Sequence, residues 1–230
     1  MILHILNRKI TQLNRPLTIP SGSFRVGFSR YFVPLALFNF CIHSKVQADR
    51  TPEQVERAKR VANQSVTSFA QSVLGEWFHS GDFPRTQAVF DEIERERRDI
   101  VDDQVKRRWN RTRPYLYSSA VHPVVSRPDN TSYPSGHSAA AAVWGTILAA
   151  AFPEKAAEFR KQIHEVMWSR VLGGVHYPSD TVAGEMLGEA IANAMMKSPD
   201  MQAALKTIRE EVGPRPDAAS KVAAQRQLSK

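Results

Sequence analysis

A single cysteine in 230 residues, Cys41, excludes an intramolecular disulfide and any chemistry that needs paired thiols. No run of about 20 consecutive apolar residues is present, so the sequence predicts no permanent transmembrane helix. Alternating apolar and polar runs are missing, and so are internal repeats, which argues against a sheet or a solenoid. With 11 glycines and 14 prolines, a mean hydropathy of −0.37 and 42% hydrophobic residues, the composition excludes a disordered or collagen-like chain. Acidic residues are absent from the first 48 positions, whereas Arg8, Lys9, Arg15, Arg25, Arg30 and Lys45 lie there.

That last absence decides how the overall charge of +8 is read. Residues 49–230 carry 25 basic residues against 23 acidic ones, a net +2. The case for a nucleic-acid partner, which rests on the global charge, therefore largely disappears. The first fifth has the layout of an export signal instead. Basic residues precede an apolar stretch, Tyr31 to Ile42, and Val46-Gln47-Ala48 supplies small residues before a cleavage site. The layout predicts a leader over 1–48, cleaved after Ala48, with an uncleaved anchor or a basic arm as alternatives. Export implies a periplasmic or secreted protein.

From Asp49 the punctuation is helical. Thr51-Pro52-Glu53-Gln54 reads as a capping box, and Val55, Ala58, Ala62, Val66, Phe69, Ala70 and Val73 repeat at helical spacing for about six turns. A second helix is predicted from near Thr86 through Val105, its DEIERERRD run forming a solvated face. Residues 112–133 read as a long connection. Ser138 to Phe152 is nearly all apolar and rich in alanine, as a helix buried on every side requires. Pro153, Pro178 and Ser198-Pro199 each open a further helix, and Gly213-Pro214 ends the last. The expectation is an all-α, single-domain helical bundle over 49–212, followed by a flexible tail over 213–230.

Three clusters carry residue types that are costly on mostly apolar helices: Lys106-x6-Arg113-Pro114, Pro134-Ser135-Gly136-His137 and Ser169-Arg170-x5-His176-x3-Asp180. Ser135-Gly136-His137 opens the buried helix, where free backbone N–H groups and the helix dipole favour an anion. Pro178 at the first helical position sets Asp180 in the first turn, four residues after His176. Its carboxylate can then accept from His176 Nδ1, leaving Nε2 as a nucleophile. Arg170 emerges from the stripe of Ile163, Val166 and Met167 and needs an anionic partner. With Lys106 and Arg113 it makes three cations, a set suited to a tetrahedral oxyanion undergoing phosphoryl transfer. HExxH, paired carboxylates and cysteine ligands are all missing, so neither metal nor cofactor is expected.

In order and spacing these clusters resemble the tripartite signature of the type 2 phosphatidic acid phosphatase superfamily, which includes bacterial class A non-specific acid phosphatases and vanadium haloperoxidases. The stretch TSYPSGHS is similar to the longer signature of the acid phosphatases, departing at Thr131 (usually Gly) and Ser138 (usually Thr). The resemblance implies His176 as a nucleophile forming phosphohistidine, Asp180 as its orienting carboxylate, and His137 as the acid and then the base. It implies that Lys106, Arg113, Ser135, Gly136 and Arg170 hold the phosphate. The activity implied is that of an exported, metal-independent acid phosphatase acting on small phosphate monoesters. A lipid or isoprenoid (pyro)phosphate phosphatase and a vanadate-dependent haloperoxidase are the alternatives. The expected partner is a small phosphate ester, and a homo-oligomer is left open.

Overall fold

The computed structural model describes residues 29–213, which are helix and connection with no strand among them, as expected for an all-α bundle. Most of the basic segment and the expected tail beyond Gly213 lie outside the described residues. Helix α1, Ser29–Asp49, covers the apolar stretch and runs on through the expected cleavage point. Its second half lies against the body. Gln47 Nε2 donates to the carbonyls of Val171 (2.8 Å) and Leu172 (3.3 Å), and Asn39 Oδ1 accepts from the Ser179 N–H at 3.2 Å.

Helix α2, Pro52–Ala62, starts at the capping box read from the sequence, with Thr51 as N-cap. The six-turn helix expected to follow is not formed: Asn63–Ser65 interrupt it, and α3, Val66–Leu74, begins afresh. Ser65 Oγ accepts from the Ser68 N–H (3.2 Å) while Ser68 Oγ accepts from the Ser65 N–H (2.9 Å). These short side chains satisfy the backbone locally and so compete with a continuous helix. Helix α4, Pro84–Arg98, starts two residues ahead of Thr86 because Pro84 suits the first helical position.

Two further expectations are corrected along α4. Its charged run is not wholly solvated: Glu96 and Arg97 are both buried, and Arg97 forks onto Glu94 through bonds of 2.6 and 2.9 Å. Beyond Arg98 the chain widens to π-helical turns over Asp99–Val105 and tightens to a 3₁₀ turn over Lys106–Arg108. The Lys106 N–H bonds to the Val101 carbonyl, five residues back. This change of winding rotates Lys106 off the face a regular helix would give it. The long connection that follows contains a single short helix, α5, Pro114–Tyr117.

Helix α6, Gly136–Ala151, is the axis of the fold. Ala139, Ala141, Ala142, Val143, Ile147 and Leu148 have no exposed surface. Around it pack α7 (Ala156–Leu172, entered through a 3₁₀ turn at Pro153–Lys155), α8 (Pro178–Met195) and α9 (Pro199–Val212). Phe69 from α3, Phe90 and Ile93 from α4, Phe159 from α7 and Ile208 from α9 complete one core. Each such side chain, fully buried, stabilises the fold by about 1.5–3 kcal/mol. Gly184 and Gly188 let α8 approach α6 closely: a Cβ at either would collide with the carbonyl of Ser135 or Ala139. That approach brings the first turns of α6 and α8 together.

Candidate active site

The three motif clusters meet where those first turns converge. A pocket of about 520 Å³ opens there, with Lys106, Arg113, Gly136, His137 and His176 on its wall. Ser135, Arg170 and Asp180 stand just behind that wall, each almost wholly buried. All eight residues singled out in the sequence therefore share one site, although not all face the cavity.

Both carboxylate oxygens of Asp180 are engaged. Its Oδ2 accepts from Ser132 Oγ (2.6 Å) and the Tyr177 N–H (2.9 Å), and lies 3.4 Å from His176 Nδ1. Its Oδ1 accepts from Arg111 Nη1 at 2.6 Å. Burial alone would raise its proton affinity, but His176, Arg111 and Ser132 together hold the carboxyl below its ordinary value. On the far side of the imidazole, Arg113 Nη1 lies 3.2 Å from His176 Nε2. A guanidinium can only donate, so Nε2 is the acceptor and the ring proton sits on Nδ1, toward Asp180. The tautomer anticipated from the sequence is thus enforced from both ends. Burial lowers His176 to about 3, with Arg113 and Arg170 adding to the effect against the pull of Asp180.

The cations differ in how they are occupied. Arg113 spends its donors on protein: the Asn130 carbonyl (2.7 Å), Asn130 Oδ1 (2.5 Å) and the Val175 carbonyl (2.8 Å), besides His176. Lys106 donates to the Thr131 carbonyl at 3.1 Å, and burial with nearby Arg113 lowers it to about 8. Arg170 is 1% exposed, and its Nε and Nη1 have no protein partner. Burial and Arg113 lower even this guanidinium to about 10. Three cations so close, one with open donors, fit the anionic partner that the sequence demanded.

Gly136 faces Lys106 and Asp102, where a missing Cβ leaves the α6 N-terminus open to the pocket. Ser135 is turned inward: its Oγ accepts from the Ser138 N–H (3.3 Å) and Ser138 Oγ (2.9 Å) as the N-cap of α6. His137 is solvent-exposed at the pocket, and its Nε2 lies 3.1 Å from the Ala62 carbonyl. Nε2 must carry the hydrogen for that contact, which leaves Nδ1 as the site that gains and loses a proton. Enclosure by protein, then Arg170 and His176, lower His137 to about 3.

Arg111, Ser132, Asn130 and the Ala62 carbonyl also belong to the site, and none of them stands out in the sequence. Arg111 sits in a basic run that reads as surface, Ser132 in a Ser- and Asn-rich connection, and the carbonyl is exposed only by the break after α2. The one available signal was that Arg111 lies two residues ahead of Arg113. His79 meets Gln71 and His164 meets Glu185, outside the site, whereas buried His43 packs against Tyr177 at its back.

Comparison with known proteins fits this geometry. The PAP2 superfamily model matches residues 99–203, the stretch that holds all eight motif residues. The chain is 27% identical to a non-specific acid phosphatase of Salmonella typhi, over 70% of this chain and 66% of the relative. It is 33% identical to one of Salmonella typhimurium, over 50% and 48%, and 23% identical to one of Providencia stuartii, over 77% and 74%. The chain thus spans from about half to three quarters of the length of these relatives. Its fold is similar to that of a transmembrane PAP2-type phosphatidylglycerolphosphate phosphatase from Bacillus subtilis, with a TM-score of 0.55 and 20% identity, over 72% of this chain and 86% of that one. Over residues 99–203, a little under half of its length, the chain resembles the PAP2 superfamily. Among its own described residues, no helix is long and apolar enough to cross a membrane.

Proposed function

We propose that the protein is a metal-independent acid phosphatase that hydrolyses small organic phosphate monoesters through a phosphohistidine. The observation that carries this reading is Arg170, a buried guanidinium with open donors beside Arg113, Lys106 and a neutral imidazole. A tetrahedral phosphate anion satisfies all of these groups at once. Its oxygens accept from Arg170, Lys106, Arg113 and the N–H groups at the start of α6, with Ser135 holding that start in place.

His176 Nε2, released from Arg113 as the guanidinium turns to the phosphate, attacks phosphorus, and the bond to the leaving oxygen breaks. Asp180 stabilises the imidazolium proton that remains on Nδ1. His137 takes up the proton that the substrate monoanion brings and passes it to the leaving oxygen, then takes a proton from the water that attacks the phosphohistidine and returns it to the departing phosphate. Phosphate leaves, and both histidines return to their starting forms. No step draws on a metal or an organic cofactor. Support for this comes from the cations at the site, which meet the charge on the phosphoryl oxygens.

Export to the periplasm or beyond belongs to the same proposal, supported by the basic-then-apolar leader that ends Val46-Gln47-Ala48. The chemistry is tested by hydrolysis of p-nitrophenyl phosphate in excess EDTA with and without vanadate, a mimic of the transition state. We expect activity to survive the chelator and to be lost to vanadate. Full loss in EDTA, restored by a divalent cation, contradicts the reading.

A further inference from the structure

Arg111 and Ser132 form a clamp that links all three motif clusters. Arg111 Nη1 donates to Asp180 Oδ1 at 2.6 Å and to Ser179 Oγ at 2.7 Å, and its guanidinium lies 4.2 Å from the centre of the Tyr177 ring. Ser132 Oγ takes Oδ2 of the same carboxylate at 2.6 Å. The two residues are also joined to each other, since the Ser132 N–H donates to the Arg111 carbonyl at 2.9 Å. Asp180 thus has each oxygen gripped by a side chain from one rigid pair. His176 Nδ1, at 3.4 Å, is the more distant partner of Oδ2.

We propose that Arg111, backed by Ser132, is a positioning residue for the reaction, holding Asp180 ionised and aimed while drawing its charge away from His176. The proposal rests on the reading of His176 as nucleophile. A carboxylate shared in this way fixes the Nδ1 tautomer yet attracts a second proton to the imidazole weakly. The nucleophile then stays neutral in acid, where a freely paired His–Asp couple would protonate. An arginine suits this role because its charge persists at any working pH and its fork reaches Asp180 and Ser179 together.

The other charged or titratable groups around the pair are Lys106, Arg113, His137, Arg170, His43 and Tyr177. None of them contacts Asp180 Oδ1, so none replaces Arg111 when it is removed.

The test is an NMR titration of His176 in the full chain, with the resonance assigned from His176→Ala, together with the pH profile of kcat/KM. We expect Arg111→Gln to raise the His176 midpoint by about one unit, a tenfold gain in proton affinity. The acid limb of kcat/KM should move up with it. Arg111→Lys, which keeps the charge, should restore most of both. Ser132→Ala, which frees Oδ2 for His176, should raise the midpoint as well and reads the question if Arg111→Gln fails to fold. A midpoint unmoved in the folded variant overturns the proposal, whatever happens to the rate. The titration needs no substrate, so a wild-type chain inert toward phosphate monoesters would sink the functional reading and leave this result standing.

Discussion

The Ser135 N–H donates to the carbonyl oxygen of Asp180 at 2.9 Å, which joins the first turns of α6 and α8. One turn bears His137 and the other follows His176, so a single backbone bond fixes the two imidazoles relative to each other. Gly184 makes the bond possible, because any side chain there would strike the Ser135 carbonyl and Ser138 Cβ. We expect Gly184→Ala to cost about 1–3 kcal/mol by overpacking and to lower kcat. Gly188→Ala creates a similar clash one turn further along, at Ala139, and should lower stability with a smaller effect on kcat. Thermal melts and steady-state rates on the two variants separate the effects.

Arg170 should exchange stability for binding. A buried cation with open donors is costly when unpaired, and replacing it with an apolar residue of similar size is often neutral or stabilising by about 1–4 kcal/mol. Arg170→Met should therefore melt no lower than the wild type in phosphate-free buffer while losing activity. Inorganic phosphate should raise the wild-type Tm, and leave that of Arg170→Met unchanged. A variant that melts much lower, or still responds to phosphate, would show that Arg170 is held by something other than an anion.

The two histidines set the pH dependence. His176, lowered to about 3 by its burial, must be neutral to attack, so kcat/KM should fall only as the pH drops toward that value. His137, also held well below its ordinary value, enters the reaction largely unprotonated near neutrality. The proton for the leaving group then arrives with the substrate monoanion, whose second ionisation lies near ~6. The alkaline limb of kcat/KM should follow the substrate's own pKa from ester to ester. A limb at one fixed pH for every substrate would assign it to a protein group instead.

His137→Ala should slow alkyl phosphates, which have poor leaving groups, far more than p-nitrophenyl phosphate. Ser65→Ala removes the cap that ends the break after α2 and should cost about 1 kcal/mol. It should also loosen the Ala62 carbonyl that orients His137, giving a milder version of the same substrate bias. Equal slowing of both substrate classes by His137→Ala would make His137 a binding residue only.

Part of this fold and site is legible in the sequence itself. Thr51, Pro178 and Ser198 announced their helices because caps act over one turn, and the motif residues are unusual enough on apolar helices to stand out. The break at Asn63–Ser65 was hidden because apolar residues keep their helical spacing across it. The π-helical turns before Lys106 leave no compositional mark, and Arg97 looks like any charge on a solvated face until Phe90 and Ile93 bury its side of α4. Arg111 and Ser132 gain their meaning from Asp180, about 70 and 50 positions away in the chain, through contacts that only the packing of α6 against α8 creates.

The most direct measurement is acid-sensitive trapping of the enzyme during turnover, with mass spectrometry to find the phosphorylated residue. We expect phosphate on Nε2 of His176, labile in acid and stable in base, at a level that falls when an acceptor nucleophile is added. His176→Ala should carry none, and Asp180→Asn should carry it while turning over on the order of 10⁴-fold more slowly. Phosphate on any other residue, or an acid-stable adduct that survives in His176→Ala, would contradict the assignment of His176 as the nucleophile.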